Sequence, residues 1–270
     1  MDIEVIFMNI LEQIVEYKKK EVAERKSLYP EKLLEQSIYF KTQPVSMKKY
    51  ILRPDKTGII AEFKKKSPSK GVINAHASVE RTTIGYMQAG ASALSVLTDK
   101  PSFGGSSEDL TTARKFNFCP IIRKDFTIDP YQVIEAKSIG ADAILLIAAI
   151  LDPGLAKELA ALAHSFGMEV LMEVHDEAEL KQHVEVGADL IGVNNRNLKT
   201  FEVSIDTSKR LAPLIPDHVV KVSESGISDV ETIVELRKHG YKGFLMGENF
   251  MKHSRPEKAA MEFMDKLRAQ

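Results

Sequence analysis

The chain has one cysteine, Cys119, so it can form no internal disulfide, and a reducing, cytoplasmic location is expected. It also lacks an excess of either charge: 37 Lys+Arg stand against 38 Asp+Glu, a net charge of −1. That balance argues against nucleic acid or a membrane surface as a partner. No apolar run reaches the roughly 18 residues of a membrane-spanning helix. The N-terminus lacks the basic, then apolar, then small-residue order of a secretion signal, because Asp2 and Glu4 precede a short apolar stretch that soon becomes charged. There is no G-x-G-x-x-G dinucleotide fingerprint, and no motif calls for a redox or nucleotide cofactor. Metal-ligand spacing is missing as well. Glu173 and His175 would share a strand face, but no third ligand stands at motif distance.

What is present is ordinary core-forming composition, 44% hydrophobic and 28% charged over 270 residues. Residues 4–25 carry apolar positions at helical spacing (Val5, Ile6, Met8, Ile10, Leu11, Ile14, Val15) and read as an amphipathic helix with a basic second half. Lys18–Lys20 is expected to be a solvated face of that helix. Pro30 opens a second short helix through Leu33 and Leu34, and residues 40–57 read as an approach loop with about one helical turn.

From Gly58 a rhythm begins. Apolar strand-like runs at 58–64, 92–98, 120–126, 143–148, 169–174, 190–195, 219–225 and 243–248 alternate with helical patterns, the last at 256–268. Eight strands, each followed by a helix, predict an α/β fold of the (β/α)8 TIM-barrel type over 58–270. Residues 1–57 would form an N-terminal helical extension of this one domain, capping the barrel. Gly90, Gly140, Gly187 and Gly240 each close a helix and open a strand at near-even spacing, two strand–helix units apart. A doubly wound open sheet is the alternative. It would not readily give this mark at every second strand, nor charges at so many strand ends.

Active sites of such barrels lie at the C-terminal ends of the strands. Those ends carry Glu62 and Lys64, Lys124 and Asp125, Glu173, Asn194 and Arg196, and Glu224. In the run Ile59–Gly71, Glu62 and Lys64 stand two apart and so share one face of a buried strand. Burying charge costs several kcal/mol unless it is paired or used. Any one of these residues can be a structural ion pair. A whole set converging on one mouth points to proton transfer. Strands 7 and 8 end in Ser223–Gly226 and Met246–Asn249. Loops at these places often hold a phosphate on backbone N–H groups, and Gly226 and Gly247 would let the backbone approach it. Lys66 and Ser67 could add donors. Cys119, at the opposite end of strand 3, is expected to be packed.

These segments, EFKKKSPSKG, IIRKDF, LMEVH, GVNNRNL, SESGIS and FLMGENF in this order, resemble the indole-3-glycerol phosphate synthase family over nearly the whole chain. The resemblance implies ring closure, decarboxylation and dehydration of 1-(2-carboxyphenylamino)-1-deoxyribulose 5-phosphate, without metal or organic cofactor. It implies that Lys124 is the general acid at the ketone oxygen. Lys64 would stand near the substrate carboxylate and donate a proton at dehydration. Glu173 would abstract a proton or stabilise a cationic intermediate, with Glu62 a second candidate base. Asn194 and Glu224 would position substrate hydroxyls and the lysines. Ser225, Gly226, Gly247 and the backbone of Glu248 would hold the phosphate, Arg196 would add positive charge, and Phe126 would line the pocket for the anthranilate ring.

Two residues depart from expectation. Arg123 takes a position where an apolar residue is the default, and strand alternation sends it outward, under a helix. Glu248 puts a charge beside the phosphate, acceptable if its side chain turns outward. A related isomerase with the same barrel would carry a cysteine at the end of strand 1, where this chain has Glu62 and Lys64. The remaining alternative is a barrel that binds a phosphate without catalysis. A monomer acting alone on a small phosphorylated substrate is expected. The apolar stripe of the first helix would serve as a lid over the substrate or, alternatively, as a protein interface.

Overall fold

The computed structural model describes residues 10–197 and 200–270. Eight parallel strands close into a barrel: β1 (Ile59–Phe63), β2 (Ala93–Leu97), β3 (Ile121–Lys124), β4 (Ala143–Ile147), β5 (Glu169–Val174), β6 (Leu190–Asn194), β7 (Val220–Glu224) and β8 (Gly243–Met246). Each strand pairs with the next, and β8 returns to β1 through Ile59↔Phe244 and Ile60↔Leu245. The fold is a TIM barrel, as the strand–helix rhythm predicts. Of the four repeat glycines, Gly90, Gly140 and Gly240 end helices as expected, whereas Gly187 lies four residues past the end of its helix at His183; all four have φ between 86° and 101°, where a side chain is strained. Among the described residues no helix is long and apolar enough to cross a membrane.

Alternation along the strands builds two separate cores. Ile60, Ile122, Leu145, Leu171, Leu190, Val222 and Leu245 fill the barrel interior. Their neighbours Ile59, Ile121, Ile144, Val170, Ile191 and Phe244 face the surrounding helices. Most helices start on a side-chain cap: Ser78, Ser106, Asp129, Asp152, Asp176 and Asp229 each accept from a backbone N–H of the first turn.

The N-terminal extension does more than the expected capping. Its first helix, α1 (Ile10–Leu28), lies at the mouth, where Ile14 joins the interior cluster beside Phe126. The part of the expected helix before Ile10 lies outside the described residues. The chain then runs down the outside of the helix Pro130–Ser138: Tyr131 Oη donates to the carbonyls of Arg25 (3.1 Å) and Tyr29 (2.9 Å), and Ser37 Oγ donates to the carbonyl of Ser138. At the far end Val45 N–H donates to Asp142 and Lys48 N–H to Glu169, both 2.8 Å, at the starts of β4 and β5. Met47 and Ile51 of the short helix there enter the barrel's floor. The extension is therefore a strap with one end at the mouth and a plug at the base.

The reading of Lys18–Lys20 as a solvated face fails at Lys18. Lys19 and Lys20 are exposed, but Lys18 is fully buried, 2.9 Å from both Asp99 and Asp125 and 3.0 Å from Glu21. Asp125 also faces Arg123 (3.2 Å), which pairs with Glu135 at 2.6 Å beneath the helix Pro130–Ser138, on the outer side as alternation requires. Burial alone would raise the Asp125 pKa. Lys18 and Arg123 more than offset that and hold it at about 2.

Lys18→Met should therefore cost about 3–5 kcal/mol in urea unfolding at pH 7, because it leaves the buried Asp99 without its cation and Asp125 with Arg123 alone. Lys19→Met should stay within about 0.5 kcal/mol. Asp125 titrates below its unfolded value of about 3.9, so its stabilisation is complete above that pH and is lost as pH falls through about 2. The Lys18→Met deficit should shrink across the same window. A small, pH-independent deficit would show that the buried pairs do not anchor α1.

Candidate active site

The charged residues of the mouth continue the inward-facing series of the strands. Above Ile60 come Glu62 and Lys64, above Ile122 comes Lys124, above Leu171 come Glu173 and His175, above Leu190 come Gly192 and Asn194, and above Val222 comes Glu224. Alternation thus turns these side chains toward the axis, and barrel closure makes them meet. Lys124 Nζ donates to Glu173 Oε2 at 2.9 Å and to Glu224 Oε2 at 2.8 Å. Asn194 Nδ2 donates to the other oxygen of Glu173 at 3.1 Å. Lys64 Nζ lies 2.7 Å from Glu62 Oε1, and Ser95 on β2 donates to Glu62 Oε2 at 3.4 Å. All of these but Ser95 line a cavity of about 610 Å³, within the usual range for a small-molecule site.

The two acids beside Lys124 are driven apart. Burial disfavours the charge on each. Glu173 overcomes this through Lys124, His175 and Asn194, which hold it well below the usual carboxylate range. Glu224, pushed up by burial and by the charge of Glu173 despite Lys124, rises to about 7. Burial also opposes the charge on Lys124, but the two carboxylates more than offset it and raise its pKa. One lysine thus sits between an ionised acid and one that titrates near neutrality.

Two glycines make this packing possible. A Cβ on Gly192 would come 2.1 Å from Glu224 Oε1, and one on Gly247 would come 2.6 Å from Glu62 Oε1. Gly247 therefore clears space for an acid at the same point where it approaches the cavity.

The β7 and β8 ends form the other half of the cavity. Ser225 and Gly226 take positive φ, 66° and 75°, in the turn after β7, and Gly247 precedes a short helix, Glu248–Met251. Lys70 Nζ and Arg196 Nη2 each lie 3.8 Å from Glu248 at the mouth. Ile10, Leu11 and Ile14 of α1 face this polar end together with Phe103 and Phe126, whose ring centroids are 6.0 Å apart.

The model of the indole-3-glycerol phosphate synthase family matches residues 11–263. The chain belongs to the indole-3-glycerol phosphate synthase family. It is 47% identical over 256 residues to the indole-3-glycerol phosphate synthase of Bacteroides thetaiotaomicron, covering 95% of this chain and 98% of that one. Against the synthase of Lachnospira eligens the identity is 45% over 267 residues, covering 97% and 99%. Among solved structures, an N-acetylmannosamine-6-phosphate 2-epimerase from Clostridium perfringens aligns with a TM-score of 0.60 at 16% identity, covering 83% of this chain and 97% of that one. A tryptophan synthase α-subunit from Pyrococcus furiosus aligns with a TM-score of 0.61 at 15% identity, covering 80% and 99%. These two likenesses concern the fold alone.

In this synthase-family chain, Glu62, Lys64, Ser67, Lys124, Phe126, Glu173, Asn194, Arg196, Glu224, Ser225, Gly226, Gly247 and Glu248 all line the one cavity. Lys66 does not. The expected loop after β1 is a two-stranded hairpin, Lys66–Ser67 against Gly71–Val72, in which Lys66 lies toward Gly104 while Lys70 faces the cavity. Asp125 reaches the cavity wall, but its carboxylate is taken by Lys18 and Arg123. The side chain of Glu248 does not turn outward; it stands between the two mouth cations. Phe103 was legible but missed: Asp99 caps a short helix, Lys100–Phe103, with Pro101 in its first turn. Lys70 and Gly192 carried no local signal, whereas the α1 wall is the apolar stripe of the first helix.

Because Glu224 binds its proton more tightly when folded than unfolded, it costs stability as pH rises from about 4.3 to 7. Glu224→Gln removes that cost, so the fall in melting temperature between pH 5 and pH 8 should be smaller in the variant; an unchanged slope would assign the titration elsewhere. Gly192→Ala should fold yet displace Glu224, lowering turnover by at least about tenfold with little change in melting temperature. Wild-type turnover would show that Glu224 can move without loss.

Proposed function

We propose that the chain is an indole-3-glycerol phosphate synthase that acts on 1-(2-carboxyphenylamino)-1-deoxyribulose 5-phosphate and releases carbon dioxide and water. The observation that carries this is the charged Lys124, held in the cavity wall between Glu173 and Glu224. In the first step the ring carbon bearing the carboxylate attacks the ketone carbon, and the ketone oxygen takes a proton from Lys124. The cationic ring then loses its carboxylate as carbon dioxide, and the new hydroxyl leaves as water to complete the indole.

Donating the proton leaves a neutral amine beside the ionised Glu173. Glu224, 2.8 Å away and titrating near 7, restores the proton from its own protonated form. Glu173 is still ionised when it faces the cationic intermediate, and it accepts the ring-side proton only afterwards, at dehydration. Lys64 meets the substrate carboxylate and donates at dehydration, and Glu62, its partner at 2.7 Å, is the alternative base. The substrate phosphate goes to the backbone of Ser225, Gly226, Gly247 and Glu248, with Ser67, Lys70 and Arg196 around it and the Glu248 side chain displaced from the two cations. The anthranilate ring lies by Phe126 and Phe103. The extension caps the site through Ile10, Leu11 and Ile14 of α1, which keep water from the intermediate. The proposal includes a monomer in the cytoplasm, with no cofactor.

Purified protein should convert the substrate with a chelator present, read as the appearance of the indole chromophore. Lys124→Ala should lower kcat by about 10²–10⁴-fold. Equal rates in the two proteins would move the acid to another residue, Lys64 first. A folded wild type without turnover would leave a barrel that only binds.

A further inference from the structure

His175 lies outside the roles assigned above, yet it touches the central acid. It follows β5, and its ring is nearly buried between two carboxylates. Its Nδ1 is hydrogen-bonded to Glu179 Oε2 at 3.1 Å, and its buried Nε2 lies at ion-pair distance, 3.3 Å, from Glu173 Oε1 without hydrogen-bond alignment. Glu179 comes from the helix Glu177–His183, and the same Oε2 accepts the backbone N–H of His175 at 2.7 Å. A neutral imidazole carries one N–H and can satisfy only one of these acids, while its bare nitrogen faces the other. Only the imidazolium presents a proton to both.

The surroundings agree. On the far side of Glu173 stand Lys124 from β3 and, beyond it, Glu224 from β7. β6 contributes the neutral Asn194, and β4 places the apolar Ile147 beside Glu173. The facing charges nearest the ring are therefore both negative.

Resting on the reaction proposed above, we infer that His175 is a positioning residue, a permanent cation that keeps Glu173 ionised while Lys124 gives up its proton. Without it, Glu173, 2.9 Å from Lys124, would compete for the loosened proton and would lose its charge when the cationic intermediate needs it. With it, Glu173 Oε1 keeps the His175 charge and the Asn194 hydrogen bond, and Oε2 alone follows the changes at Lys124. Burial works against a charge on the ring, but Glu173 and Glu179 outweigh it and raise the His175 pKa to about 10. Glu179 is a spacer-side anchor: it holds the ring from behind and does not face the substrate.

Two readouts test this. In nitrogen-15 spectra at pH 8, the ring signal that disappears in His175→Gln should be that of a doubly protonated imidazole, where an ordinary histidine of pKa about 6.5 is neutral. In kinetics, His175→Gln should leave KM nearly unchanged, and the acid limb of the kcat–pH profile should move up by roughly 1–3 units, because Glu173 loses one of its cations and protonates at higher pH. Glu179→Gln, remote from the substrate, should move the limb the same way and lower the His175 pKa. It also serves if His175→Gln does not fold. A neutral His175 at pH 8 overturns the inference, as does an active wild type whose limb neither variant shifts. A wild type that binds but does not turn over the substrate overturns the assigned reaction and the positioning role together, whatever the spectra show of the charge.

Discussion

The structure depends on keeping one ammonium group, that of Lys124, inside the wall of an apolar barrel. A buried cation needs close anions, and here it has two, from β5 and β7. Two carboxylates around one lysine cannot both be comfortable, so one is held ionised and the other is pushed toward neutrality. The arrangement in turn needs room, which β6 supplies by having no side chain at Gly192. A charge pattern, a pair of unequal acids and a glycine are therefore consequences of one requirement.

The same strand that turns Lys124 inward turns its neighbours outward. Arg123 and Asp125 join Lys18, Glu135 and Arg25 in a second charged network beneath α1 and the helix Pro130–Ser138. Three successive residues thus belong to two networks on opposite sides of the barrel wall. The outer one fixes the strap whose residues Ile10, Leu11 and Ile14 line the mouth, so the placement of α1 and that of Lys124 are set by one stretch of β3. The strap's other end seals the base with Met47 and Ile51, which leaves the mouth as the open end of the interior.

Much of this was legible because strand alternation and helix spacing are local. Glu62, Lys124, Glu173 and Glu224 could be placed on one side of the wall from their phase with Ile60, Ile122, Leu171 and Val222, and the helix-ending glycines marked the units. Arg123 was placed outside by the same rule. The rule failed where backbone geometry was not that of a strand or where a partner was distant. Lys66 and Lys70 exchange roles because the chain makes a hairpin after β1. Lys18 looks like a surface residue because the acids that bury it lie some eighty to a hundred positions away.

What the sequence by itself determined is the period: two along strands, 3.6 along helices, repeated often enough to require a closed barrel with its inward charges at one end. What only the tertiary structure decided is which charges touch. Lys124 meets acids 49 and 100 residues away, and nothing local ranks those partners above others of the same phase. Their protonation follows from that contact, since the pKa of a buried acid is set by the distance to its counter-ions and by the water excluded around it. Register across β3, β5 and β7, and the closure of the barrel, supply both.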